Sequence, residues 1–270
     1  LFLDDLYNRL NKIKQPAKLK ELHKQIAELK FLDPSCGCGN FLIIAYRELR
    51  LFEIELIKKL FFRGEAIQLE LDISAIARVN IQQFYGIEIE LLPAKIAYVA
   101  MWLTDHQMNL RLSEELGEYY TRIPLAKQKK QSIIQANALD YNWKDLVQKE
   151  NLNYILGNPP FVGSKYLSAC QREDMQKITQ SIKKAGALDY VTAWYIKAAD
   201  FIQGTQIKVA FVSTNSISQG EQVKILWQEL FNKYKIKIHF AHSTFAWHNE
   251  AKNTAAVHCV IIGFANYDIK

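Results

Sequence analysis

The chain has 270 residues, 49% of them hydrophobic and 12% aromatic, with a formal net charge of +6. That is enough apolar material for one large α/β domain with appendages, and it excludes a disordered chain. No apolar run reaches the length of a membrane span, and the N-terminus lacks the progression of a secretory signal, so a cytoplasmic protein with no membrane partner is expected.

The charge permits a polyanionic partner without requiring one. Four cysteines, two of them in Cys36-Gly37-Cys38, are too few for a disulfide framework and lack zinc-finger partners, so reduced thiols and no bound metal are expected. The sequence opens on Leu1 rather than Met, which points to a piece of something longer. Nothing in it fixes the oligomeric state.

Leu6, Leu10 and Ile13, then Leu19, Leu22, Ile26 and Leu29, have helical spacing on either side of Pro16 and predict two leading helices. Phe31-Leu32 reads as a strand that enters the turn Asp33-Pro34-Ser35-Cys36-Gly37-Cys38-Gly39-Asn40-Phe41, after which helical spacing resumes. Residues 47–83 keep a helical character, broken at Gly64, and lengthen the first crossover.

A second strand is expected at Phe84–Ile89 and a helix at Pro93–Met108, with Pro93 in its first turn. Further strands are expected at Ile133–Ala136, Tyr154–Leu156, Ile207–Val212, Ile236–Ala241 and Ala255–Phe264, with a helix over Val191–Ile202. The last two strands lack a convincing helix between them. The pattern predicts an α/β, doubly wound, mostly parallel seven-stranded sheet with an antiparallel edge hairpin.

In such a sheet, ligands lie beyond the carboxyl ends of the strands, and the loops there hold the candidate residues. Gly37 and Gly39 let the backbone approach a ligand closely, and Asp33 adds an acceptor for an amino group. Glu88 can take both hydroxyls of a ribose. Asn137 offers an amide able to read an adenine edge, with Asp140 as a second candidate.

Tyr154-Ile155-Leu156-Gly157 then runs into Asn158-Pro159-Pro160-Phe161. The two prolines stop the strand and stiffen its end. An amide oxygen, a carbonyl and a flat apolar ring there suit a planar group carrying an exocyclic amine. Gly-x-Gly-x-Phe is not the Gly-x-Gly-x-x-Gly fingerprint of dinucleotide binding, which argues against NAD.

The order Asp-Pro-x-x-Gly-x-Gly-x-Phe followed by Asn-Pro-Pro-Phe resembles the S-adenosyl-L-methionine-dependent N6-adenine DNA methyltransferases. FLDPSCGCGNFL, YGIEIE, WLTDHQMN, GNPPFVGSKY, STNSISQGEQV and AAVHCVIIGF resemble the methyltransferase region of single-chain type II restriction-modification enzymes. The likeness runs over nearly the whole chain.

The resemblance implies a class I methyltransferase (Rossmann-like) domain over 31–270, with a helical insertion at about 47–83, behind an N-terminal helical segment at 1–30. It implies that Asp33, Pro34, Cys36, Gly37, Gly39, Asn40 and Phe41 hold the methionine part of the cofactor. Glu88 and Ile89 would hold its ribose side, and Asn137 and Ala138 its adenine. Asn137 stands where the family often has an acid.

Asn158, Pro159, Pro160 and Phe161 are implied as the catalytic set, accepting hydrogen bonds from the target amine and stacking on a flipped-out base. The implied partner is double-stranded DNA, read through a target-recognition domain that this chain is expected to lack. The same tetrapeptide type also occurs in methyltransferases acting on guanine N2 of ribosomal RNA or on a protein glutamine amide. A non-catalytic S-adenosylmethionine-binding module is the alternative from another class, although it would have no need of Asn158 and Phe161.

Several residues have plainer readings. Trp102, Leu103, His106 and Asn109 have core-like helical spacing, and Tyr190 and Trp194 read as core. Lys127, Lys129, Lys130, Lys183 and Lys184 read as solvated charge. Phe245 and Trp247 are expected in the turn between the last two strands, where the resemblance implies residues that pack near the flipped base, and a role for either is left open.

Overall fold

A computed structural model describes residues 2–61, 76–116, 132–247 and 257–268. The chain divides into two compact units, Leu1–Gln135 and Ala136–Lys270. The seven strands are β1 (Phe31–Asp33), β2 (Phe84–Glu88), β3 (Ile133–Gln135), β4 (Tyr154–Gly157), β5 (Lys208–Thr214), β6 (Lys237–Trp247) and β7 (Val257–Ala265), in the order β3-β2-β1 within the first unit and β4-β5-β7-β6 within the second.

The first unit runs α1 (Leu3–Lys12), α2 (Pro16–Glu28), β1 (Phe31–Asp33), α3 (Asn40–Phe61), β2 (Phe84–Glu88), α4 (Leu91–Leu116) and β3 (Ile133–Gln135). Its three strands are parallel, with Asp33 beside Gly86 and Glu88 beside Gln135. Pro16 opens α2, where a missing N–H costs nothing. Phe31 and Phe84 stack between β1 and β2 at 4.6 Å, with the Tyr46 ring edge-on to Phe84.

A buried ionic cluster ties this unit together. Glu53 accepts from Arg78 N, Val79 N and His23 Nε2 at 2.7–2.9 Å. Arg50 donates to Val79 O and Asn109 Oδ1 and lies 3.4 Å from Glu53. Burial pushes the Glu53 carboxyl up, but the His23 hydrogen bond and the Arg50 charge outweigh it and hold it below its ordinary value.

The expectation of helix over 47–83 holds as far as Phe61. Residues 77–80 are not helical, and Ile81–Gln83 form a single 3₁₀ turn capped by Asn80. Arg78 and Val79 give their N–H groups to Glu53 rather than to helical carbonyls. Gly64 lies outside the described residues.

The core-like reading of α4 holds for Asn109 and fails for Leu103 and His106. Its buried face is Ala94, Ala97, Met101, Thr104, Asp105, Met108, Asn109 and Leu112. Leu103 and His106 are exposed, with His106 stacked on a half-buried Trp102. Met101, Met108 and Leu112 face inward together with small side chains and hydrogen-bonded polar groups.

The second unit runs α5 (Trp143–Leu146), β4 (Tyr154–Gly157), α6 (Ala169–Thr179), α7 (Thr192–Phe201), β5 (Lys208–Thr214), α8 (Glu221–Asn232), β6 (Lys237–Trp247) and β7 (Val257–Ala265). β4 is parallel to β5, whereas β7 is antiparallel to both β5 and β6. Tyr195, Phe211, Phe264 and Trp227 form its aromatic core, and Tyr190 and Trp194 are buried as expected.

Phe245-Ala246-Trp247 is not a turn. It is the end of β6, with Phe245 paired to Cys259 and Trp247 to Val257. Irregularities between Ile238 and Phe240 and between His242 and Phe245 break the period-2 alternation that would have carried the strand that far in the sequence. Among the described residues no helix is long and apolar enough to cross a membrane.

Candidate active site

The first unit carries one set of candidate residues at the carboxyl ends of β1 and β2. Asp33 ends β1 almost fully buried, and its Oδ1 accepts from Ser35 N at 2.9 Å. Burial, and to a lesser degree the charge of Glu88, lift its carboxyl from 3.8 to about 7 despite that hydrogen bond.

The turn then docks on the end of β2. Cys36 N donates to Ile87 O at 3.0 Å, and Gly37 N donates to Glu88 Oε2 at 2.8 Å. Gly37 and Gly39 have φ of +53° and +89°, and a Cβ on Gly39 would come within 3.0 Å of Ala97 on α4. Both the bend and the close helix approach therefore call for glycine.

Glu88 also accepts from Glu90 N at 3.0 Å, so each of its oxygens takes one backbone N–H. That fixes the carboxylate and leaves further lone pairs for a diol. Ile89 beside it is 56% exposed, an apolar face at the same strand end. Pro34 is buried, Asn40 opens α3 exposed and Phe41 is half-buried. Cys36 is buried, and its thiol is pushed well above the usual range by burial and by Asp33 and Glu88. Such a thiol stays neutral in the ordinary pH range.

The second unit carries the other set. Asn137 Oδ1 accepts from Leu139 N at 3.0 Å, and its Nδ2 donates to Asp174 Oδ1 at 3.0 Å. The amide expected to read an adenine edge is thus engaged in shaping its own turn. Ala138 is buried, and its carbonyl takes the Trp143 indole N–H. Lys197 donates to Leu139 O and Tyr141 O at 2.6 and 2.9 Å, and burial pulls its ammonium down to about 8. Asp140 instead pairs with Lys177 at the surface.

β4 ends at Gly157, and Asn158 follows with its Oδ1 fully buried and without a hydrogen-bond partner among the described residues. Pro159 is buried, Pro160 exposed and Phe161 half-buried. An unsatisfied buried oxygen costs roughly 1–3 kcal/mol, a cost that a ligand's donor can offset.

The loop beyond is held by residues the sequence reading did not single out for the site. Tyr190 N donates to Val162 O at 2.9 Å, and Asp189 Oδ1 accepts from Ser164 N at 2.9 Å. The available signal was an Asp-aromatic pair just ahead of a helix. Lys127, Lys129, Lys130 and His248–Glu250 lie outside the described residues.

The fold, with a Gly-turn after β1, an acid after β2 and Asn-Pro-Pro-Phe after β4, defines a class I methyltransferase domain. The family model of the MmeI DNA-methyltransferase domain matches residues 10–270, and the chain belongs to that family. It is 42% identical to DNA methyltransferase A of Bacillus subtilis (strain 168), covering all of this chain and 30% of that protein.

The structure matches that of the Type IIL restriction-modification enzyme MmeI in complex with DNA with a TM-score of 0.93 and 50% identity, over all of this chain and 35% of that one. The type IIG restriction endonuclease BpuSI shares the fold at 14% identity, TM-score 0.51, over 94% of this chain and 25% of that one. The chain therefore spans about a third of the length of the relatives it matches.

Proposed function

We propose that this chain is the methyl-transferring domain of a restriction-modification enzyme, moving a methyl group from S-adenosyl-L-methionine to the N6 amine of an adenine flipped out of duplex DNA. In this reading residues 31–270 are the catalytic domain behind the helices of 1–30, and site choice rests with a target-recognition domain outside the 270 residues. The observation that carries it is the buried, unpartnered Oδ1 of Asn158 ahead of two prolines and a half-buried Phe161.

The first unit's residues fit the cofactor. Asp33 is a buried acceptor for its amino group beside Pro34, Cys36, Gly37 and Gly39, with Asn40 and Phe41 at the head of α3. The fixed Glu88 carboxylate offers lone pairs to a ribose diol, and Ile89 offers an apolar face. Asn137 acts by shaping the turn, which leaves the Ala138 backbone as the part that meets the adenine. When bound, the cofactor supplies an electrophilic methyl on a sulfonium.

An exocyclic amine is a poor nucleophile because its lone pair is delocalised into the ring. The Asn158 side-chain oxygen and the Pro159 carbonyl accept its two N–H bonds and favour a pyramidal nitrogen, which raises its nucleophilicity as attack begins. Phe161 replaces the stacking lost on leaving the duplex. Displacement requires amine, methyl and sulfur to lie in line, with no covalent enzyme intermediate.

The test separates the two tasks. Asn158→Ala and Phe161→Ala should each lower methyl transfer at least a hundredfold and leave cofactor affinity, measured by calorimetry, within threefold. Glu88→Ala should weaken cofactor affinity at least tenfold. Loss of cofactor binding in Asn158→Ala would contradict the assignment.

A further inference from the structure

The loop after β4 has few groups of its own with which to hold still, since Pro159 and Pro160 carry no N–H. Two anchors beyond the prolines come from one dipeptide, Asp189-Tyr190. Asp189 Oδ1 accepts from Ser164 N, and Tyr190 N donates to Val162 O, each at 2.9 Å.

Asp189 is itself gripped from the β5–α8 side. Its Oδ2 accepts from Ser216 Oγ and Gln222 Nε2 at 2.7 Å each, and its N–H donates to Gln222 Oε1 at 3.0 Å. A carboxylate taking three donors across both oxygens is rigid, and charge-assisted bonds of this kind are the stronger ones.

Tyr190 reaches the other way. Its hydroxyl donates to Asp174 Oδ2 at 2.6 Å, and Asp174 Oδ1 accepts from Asn137 Nδ2 at 3.0 Å. The same dipeptide thus ties the Asn158–Ser164 loop to the Asn137–Asp140 turn, wholly within the second unit.

Resting on the function proposed above, we propose that Asp189 is the positioning residue of the target-amine loop, fixing Asn158 and Phe161 for transfer while Tyr190, Asp174 and Asn137 carry that register to the cofactor turn. Misplacement of a reacting group by about 1 Å can cost on the order of a hundredfold in rate. Asp189 touches neither substrate, and its effect is on kcat.

The test uses Asp189→Ala and the double variant Asp189→Asn with Gln222→Glu in the 270-residue chain. In the double variant the introduced amide keeps an oxygen for Ser164 N and donates to the introduced carboxylate, with the charge moved to position 222 and Ser216 Oγ turned to accept from the amide and donate to Thr214. Hydrogen exchange over 156–168 should quicken at least tenfold in Asp189→Ala, stay unchanged over 33–43, and return toward wild type in the double variant. In step, kcat should fall at least tenfold with KM for the cofactor within threefold, and recover in the double variant.

Unchanged exchange over 156–168, or quickened exchange with unchanged kcat, would overturn the inference. So would equal losses in exchange protection, melting temperature and cofactor binding with no rescue, the mark of a merely structural residue. If the variants show the exchange pattern but a wild-type chain that binds both cofactor and DNA methylates no DNA, the clamp stands and the proposed function is overturned instead.

Discussion

Asp33 has its proton affinity set against its proposed task. It is buried at the end of β1, and its carboxyl is raised to about 7. The folded protein therefore holds a proton there that the unfolded chain has released above its ordinary value of 3.8. That contribution to stability is complete below 3.8 and is lost as the pH rises through about 7. An ionised, buried Asp33 above that pH is a cost that a cationic amino group offsets.

Two results are expected. Cofactor affinity should rise with pH between 6 and 8, and Asp33→Asn should flatten that rise while weakening binding. The same substitution keeps an acceptor for Ser35 N and removes the buried charge, so it should stabilise the cofactor-free protein at pH 8.5 by on the order of a few kcal/mol and much less at pH 5. Denaturant titrations at the two pH values check this, and equal effects at both would contradict it. The sequence displayed Asp33, Glu88 and Asn158 plainly, because each follows an apolar strand run. It could not display which lone pairs remain open. Asn137 and Asn158 are the same residue type after similar strands, yet one amide shapes its own turn and the other keeps a buried oxygen unpartnered.

Among the elements, the Gly-turn depends on helix α4 as much as on its own bend. Gly39→Ala would place a methyl at 3.0 Å from the Ala97 Cβ with φ at +89°, so loop strain and the helix contact both oppose it. The expected loss is about 1–3 kcal/mol of stability, with cofactor affinity falling further than that of a Gly204→Ala control, whose added methyl meets open space. Thermal melts and calorimetry on the pair test this, and an indistinguishable pair would refute it. The strands were legible because apolar runs end at Gly, Pro or acidic residues. Helices α6 and α8 were not singled out. α6 is mostly polar, burying only Asp174, Met175 and Thr179, so its periodicity is short. α8 does carry the signal, with buried Gln222, Leu226, Trp227 and Leu230 after Gly220, but a polar residue on the inner face weakens it. The β6 irregularities hid where that strand ends.

At the scale of the whole molecule, each unit carries a distinct chemical character. The first offers acceptors and glycines at its strand ends, and its stability is tied to the buried Arg50–Glu53–His23 cluster. The second offers the open Asn158 acceptor three residues ahead of Phe161, in a loop whose Val162 and Ser164 are hydrogen-bonded to Tyr190 and Asp189. This division matches a domain that binds a methyl donor with one set of residues and presents an amine with another. The measurement that bears most directly on it is the identity of the methylated product. The chain is incubated with radiolabelled S-adenosylmethionine and duplex oligonucleotides, some with the target adenine mispaired to ease flipping, and the DNA is digested to nucleosides. The account predicts label in N6-methyldeoxyadenosine, strongest for the mispaired duplex and absent with Asn158→Ala. Label on another base or on protein, or none from a chain that binds both cofactor and DNA, would contradict it.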